Sequence, residues 1–325
     1  MSESKRRLLW KKLARLSFLF SVFLALSPAY SFAVVQDRPP IPGGEQNYGP
    51  WNRDLEIFES GDGSTFLQEG IVIERGGVPN LARARDGTLF LVFQWFPLDW
   101  PEAFDRIAIS RSQDDGRTWT EPRPITIQET PESLYRAFDP ALAILDDGSL
   151  RIYFASERVT PEKARGNRAI FSARSQDGVN FIFEPGQRFG FVDRETFDPA
   201  VAYFDGKWHL YCPVQGEPGA AYYTSSEDGL NFADFATVTL PPQHIWIGNA
   251  IVISKKLWFY GSGPHGVWRA HSSNGKSWKL DPSFRLSGGD PAVAVKRDQS
   301  LLVITTGPLR PDAFPGHPQD AHILM

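Results

Sequence analysis

Apolar residues in this chain come in short runs separated by polar turns. Five runs of small and β-branched residues recur. Each reads as a strand buried on both faces. Two are nearly the same text: Phe138-Asp139-Pro140 opens Ala141–Leu145, and Phe197-Asp198-Pro199 opens Ala200–Phe204. Looser copies begin at Val78-Pro79-Asn80, Gly248-Asn249 and Asp290-Pro291. Between the runs lies a second repeat, a turn with Ser first, Asp or Asn two residues later, then Gly, then an aromatic. The fullest copy is Ser112-Gln-Asp114-Asp-Gly116-Arg-Thr118-Trp119, and the shorter ones start at Ser60, Ser175, Ser226 and Ser272. In such a turn the Asp binds local amides, Gly takes the positive φ, and the aromatic packs back under the hairpin.

The turn glycines 63, 116, 178, 229 and 275 are spaced 53, 62, 51 and 46 residues apart. That is the period of a four-stranded propeller blade. The reading is all-β, a five-bladed β-propeller. A six-bladed ring is the alternative. The first turn precedes the first buried run, and the last run, from Asp290, has no turn after it. Residues about 54–75 are therefore expected to pair with the C-terminal strands in one blade, closing the ring and removing its open edges.

The N-terminus has a different character. Lys5, Arg6, Arg7, Lys11, Lys12 and Arg15 precede an apolar stretch, Leu16 to Leu26, and Ser31-Phe32-Ala33. This predicts a signal peptide over 1–33, with an uncleaved membrane anchor as the other possibility. An extended, Pro-rich leader follows over 34–50, then one propeller domain over 51–325. The chain carries a formal charge of −4, and removing 1–33 takes away six basic residues and one Glu, leaving −9. An acidic, exported chain, periplasmic or secreted, is a poor nucleic-acid binder. Cys212 is the single cysteine, which excludes an internal disulfide and a thiolate metal cluster; a buried thiol is expected. A monomer is expected.

If every inner strand starts at one end of the ring, Asp139, Asp198 and Asp290 share the channel mouth with Val78 and Gly248 at the equivalent positions. The Asp turns then lie at the opposite end as scaffold. Asp-Pro can be a plain strand start, with Pro where it costs no ladder bond. Three carboxylates in a channel should also repel and raise at least one pKa. That suits a general acid, and it equally suits bound Ca²⁺. The loops at the same end supply acids Glu157, Glu195 and Glu217. They also supply sugar-facing candidates Trp95, Trp100, Arg136, Arg194, Trp246 and His265.

The turn copies, together with Gly77-Val78-Pro79-Asn80 and Asp86-Gly87-Thr88-Leu89, resemble the Asp-box (BNR) repeats and first-blade text of sialidases. The blade count and the Asp-Pro strand starts resemble five-bladed glycosidases: arabinanases, β-xylosidases and invertases. The second resemblance implies a glycoside hydrolase with two Asp and one Glu at inner-strand starts. Asp139 and Asp198 match the two Asp, while Asp290 stands without a Glu, so the acid would come from Glu157, Glu195 or Glu217. Sialidases carry Arg-Ile-Pro where this chain has Gly77-Val78-Pro79. The expected ligand is a carbohydrate, held in a pocket over the channel. The competing expectation is a non-catalytic exported propeller that binds a glycan or a protein partner.

Overall fold

The computed structural model describes residues 49–159 and 167–314. The segments expected to be a signal peptide, 1–33, and a leader, up to residue 48, lie outside the described residues. The rest forms five antiparallel sheets arranged as a propeller. Blade one is Gly76–Arg83, Leu89–Trp95, Arg106–Ser112 and Arg123–Pro124. Blade two is Phe138–Ile144, Leu150–Glu157, Arg168–Ser175 and Asn180–Phe189, with a fifth strand, Thr126–Gln128, running parallel along its outer edge. Blade three is Ala200–Phe204, Lys207–Pro213, Ala220–Ser226 and Phe235–Thr239. Blade four is Ile245–Ile253, Lys256–Gly263, Gly266–Ser272 and Lys279–Leu280.

Blade five is built from both ends of the described chain. Gly289–Val295 and Leu301–Leu309 are its inner strands, Arg53–Ser60 and Leu67–Ile73 its outer ones. Ile57 pairs with Ile304 and Phe58 with Val303. The ring therefore closes as the order of the repeats required, with five blades and not six. A buried side chain reinforces the seam. Asn52 donates through Nδ2 to the Phe314 carbonyl at 2.6 Å and accepts the Phe314 amide at 3.2 Å, while Arg310 reaches Asp54 at 2.5 Å.

Among the described residues the core divides into five apolar clusters, one between each pair of neighbouring blades. Phe90, Val92 and Ile109 of blade one, for example, meet Ile152, Phe154 and Phe171 of blade two. The Asp turns tie these interfaces at one end of the ring, called here the bottom. Their local bonds are those the sequence requires: Asp114 takes the Thr118 amide at 2.9 Å and its hydroxyl at 2.6 Å, and the Ser112 hydroxyl takes the Gly116 amide at 2.8 Å. The turns also bond outward. Tyr153 of blade two donates to the Gly229 carbonyl of blade three, Tyr211 of blade three to Gly275, and Arg269 of blade four to Gly63. The bottom end is thus bonded from blade to blade as well as within each hairpin.

Candidate functional site

At the opposite end, the top, each inner strand begins with a kink. The ladder slips between Gly77 and Asn80, between Phe138 and Ala141, and between Gly289 and Ala292, so the intervening residue and its proline form a β-bulge. Proline fits there because a bulged residue gives no ladder bond. The residue before it adopts positive φ: 50° at Val78, 50° at Asp139, 46° at Asp198 and 45° at Asp290. Asp tolerates this region better than most residues, and a β-branched Val there is strained. Backbone strain of this kind gathers at functional sites.

Blade four corrects the expected alignment by one residue. Asn80 and Asn249 are buried and play the same part, each Oδ1 accepting an amide of the next blade: Leu142 at 2.9 Å and Val293 at 3.2 Å. Counting back two residues puts Ile247, not Gly248, opposite Val78 and Asp139. Gly248 takes the place of the prolines, at φ 153°, and a Cβ there would lie 2.1 Å from the Tyr260 carbonyl oxygen.

The ring is therefore Val78, Asp139, Asp198, Ile247 and Asp290, around an opening of about 10 Å³. That is room for about one water, so a sugar ring would sit above the carboxyls rather than among them. Each Asp is only half-buried by exposure, yet the channel walls take away most of its hydration. Burial raises all three pKa values. What separates them is the company each keeps. Asp139 accepts the Asp198 amide at 3.4 Å and faces Arg168 and Arg136, which limits its rise to about 6. Asp290 is eased by the Thr306 hydroxyl, Arg53, Ser262 and the Val78 amide. Asp198 faces Asp139 and Asp290 with only Arg168 in relief, and burial holds it well above the ordinary carboxylate range. Burial and the two neighbouring carboxyls thus bias Asp198 toward its protonated form, while Arg168 and Arg136 temper the rise at Asp139.

Arginines surround this ring, and two of them went unread in the sequence. Arg168 begins the third strand of blade two; its Nε and its backbone amide both donate to Glu195 at 2.9 Å, and its guanidinium lies 4.2 Å over the Phe197 ring. Arg53 begins the closing strand and donates to the Gly307 carbonyl at 2.9 Å. A third strand starts at the same end as an inner strand, so a basic residue at its first position was the available signal. Arg136, which was anticipated, bridges to Asp105 of blade one at 2.5 Å.

The remaining candidates scatter. None of the three Glu lines the opening. Glu195 is committed to Arg168, Glu217 lies exposed in the turn before Ala220, and Glu157 ends the second strand of blade two. Trp95 and Trp100 meet edge to face at 5.8 Å on the rim, Trp100 exposed and Trp95 partly packed on the core. Arg194 and His265 are exposed at the top, and Arg194 lies over Phe191. Trp246 is a correction: it is fully buried, stacked on Tyr211 and bonded to the Gly219 carbonyl, because the two extra residues in the blade-four bulge turn it into the interface with blade three. Among the described residues no three His, Cys, Asp or Glu side chains form a metal-holding set. The ring carboxyls are turned instead to neighbouring amides, Asp139 to that of Asp198 and Asp290 to that of Val78. Cys212 is buried beneath the ring, its thiol pushed well up by burial and by Asp198 and Asp139.

No family model and no curated protein matches this chain. Solved structures do. An α-L-arabinofuranosidase from Lactobacillus brevis superposes with TM-score 0.55 at 15% identity, over 74% of this chain and 86% of its own. An N-acetylgalactosamine deacetylase from F. plautii, in complex with blood group B trisaccharide, gives 0.53 at 13%, over 77% and 81%. A thermostable family-43 glycoside hydrolase gives 0.51 at 13%, over 74% and 96%. At such identities the likeness is one of fold. The fold is the five-bladed propeller that these carbohydrate-active enzymes share.

Proposed function

We propose that this protein is an exported, monomeric glycan-processing enzyme of glycosidase type, with its acid and base at the mouth of the channel. The observation that carries the reading is the pair Asp139 and Asp198. They stand at equivalent positions of adjacent blades, and burial raises both carboxyls, with the arginines limiting the rise at Asp139 to about 6 while Asp198 faces two other carboxyls. Glycosidic cleavage requires such a pair, a proton donor for the leaving oxygen and a carboxylate for water or the anomeric carbon. Asp198 is the donor and Asp139 the base or nucleophile, so the role expected of a Glu falls to Asp198. Asp290 and Arg168 set the field around them. The edge-to-face Trp95 and Trp100 offer a platform for the C–H face of a sugar. Export is supported by the basic and apolar segments before residue 33.

The test is turnover of a panel of aryl glycosides and natural oligosaccharides, read beside binding on a glycan array. Asp139→Asn and Asp198→Asn should each cost at least about 10²-fold in turnover, as loss of a general acid or base does. If both variants hydrolyse every responsive glycan like the parent, the acid/base assignment is wrong. The second reading, a non-catalytic exported propeller that binds a glycan or protein by its top face, is favoured by the small opening of about 10 Å³ and by the missing Glu. Glycan binding without any turnover would establish it over the first.

A further inference from the structure

Blade two differs from the other four in a way the channel mouth does not explain. Its turn glycines stand 62 residues from those of blade one, against 46 to 53 elsewhere. Part of the extra chain forms the edge strand Thr126–Gln128 and the loop that follows it to Leu134, which bridges to Arg158. The outer strand also bulges widely. Ile170 pairs with Phe189 but Ser172 pairs with Glu184, so two steps on one strand face five on the other. Gly186 at φ 94° makes the bend, and the buried Arg188 holds it, donating through Nη2 to the carbonyls of Pro185 and Gly186 at 2.5 and 2.6 Å.

Between this bulge and the loop lies a cavity of about 320 Å³. Its floor is apolar: Phe171, Phe183 and Leu134, all buried. Its lip carries Ser133, Gln187 and Arg158, and among the described residues no acidic side chain lines it. Among the described residues the Arg158 guanidinium makes one hydrogen bond, from Nη2 to the Phe191 carbonyl at 2.5 Å. A guanidinium has five N–H donors, so most of its capacity faces elsewhere.

We propose that this cavity binds a small organic anion of the aryl-carboxylate type, with the ring against Phe171 and Phe183 and the carboxylate on Arg158. The volume is at the small end of ligand pockets, which suits one or two rings and not a polymer. The apolar floor disfavours a bare sugar or inorganic phosphate, and the Arg158 cation, with no acid among the described lining residues, selects an anion. Phe171 and Phe183, with ring centroids 6.1 Å apart, give an aromatic guest edge and offset contacts. The site is independent of the carboxylate ring, so its existence does not depend on the proposed reaction.

Calorimetry on the full chain with 2-naphthoate, and with uncharged 2-naphthamide of the same shape, tests it. Naphthoate should bind at least about tenfold tighter than the amide, the size of effect a charge-assisted hydrogen bond supplies. Arg158→Met should abolish that preference. Ser133→Trp, placed at an exposed lip position, should block both compounds while the melting curve stays that of the parent. The proposal is overturned if neither compound binds at millimolar concentration, if both bind equally, or if binding survives both substitutions.

Discussion

Asp177, at the bottom of the propeller, accepts the amides of Val179 and Asn180 at 2.8 Å, the Asn180 side chain at 2.8 Å and the Ser175 hydroxyl at 3.0 Å. Its carboxyl is exposed to water and held well below the ordinary range by those donors, the Asn180 side chain first. Asp198, at the top of the next blade, has the reverse surroundings. It is enclosed, faces two other carboxyls, and burial drives it well above the ordinary range. The same pattern holds across both ends: Asp114 is depressed to about 2, chiefly by the Thr118 side chain, while burial raises Asp139 to about 6. One residue type is a structural clasp at one end and a strained, protonatable group at the other. The carboxyl does not decide which; the supply of donors and water does.

The bluntest way to break this comparison is to open the ring. Deleting residues 54–75 removes the two outer strands of blade five and leaves Leu301–Leu309 with an unpaired edge. The protein should be insoluble or lose its cooperative melt by calorimetry. A deletion variant that melts like the parent would show that top and bottom need no closed ring. Next in size is activity. Asp177→Asn and Asp228→Asn should keep turnover within about twofold on any glycan for which Asp139→Asn loses about 10²-fold. Equal losses at both ends would erase the functional half of the contrast.

Stability should divide the two ends in the opposite direction. Asp177→Ala strands the amides of Val179 and Asn180 and should cost about 1–2 kcal/mol, a fall in Tm of roughly 2–8 °C by calorimetry at pH 7. Asp198→Asn removes a carboxyl that folding has pushed toward protonation, and Asn tolerates its φ of 46°. The variant should melt about 2–4 °C above the parent at pH 7. The smallest effect is the pH profile. The raised carboxyls bind protons more tightly folded than unfolded, so their contribution is complete below about pH 4 and is lost as pH rises, through about 6 for Asp139, with Asp198 shifted in the same direction. The turn carboxyls act the other way, contributing above about pH 4 and failing as pH falls through about 2 for Asp114. Tm should therefore peak between about pH 4 and 5, and the slope above pH 5 should flatten in Asp198→Asn. An unchanged slope in that variant would assign the pH dependence to other groups.

The bottom of the molecule was legible in the chain itself. Each turn is made by residues two to four positions apart, so Ser112, Asp114, Gly116 and Trp119 specify their own bonds, and the order of the copies specifies the closure. The ring positions Asp139, Asp198 and Asp290 were also readable, because they repeat with the blades. Their inequality was not. It depends on Arg168, Arg53 and Ser262, which come from other strands, and on an amide 59 residues away in the case of Asp139. Trp246 was placed on the surface because a Trp before a strand reads as a loop aromatic, and a bulge with two extra residues turned it inward. The blade-two cavity had only the long interval before Gly178 as its trace. Local hydrogen bonding follows from neighbours in sequence, so the sequence determined the scaffold. Desolvation and charge coupling follow from neighbours in space, so only the packed ring decided which carboxyls are pushed toward protonation.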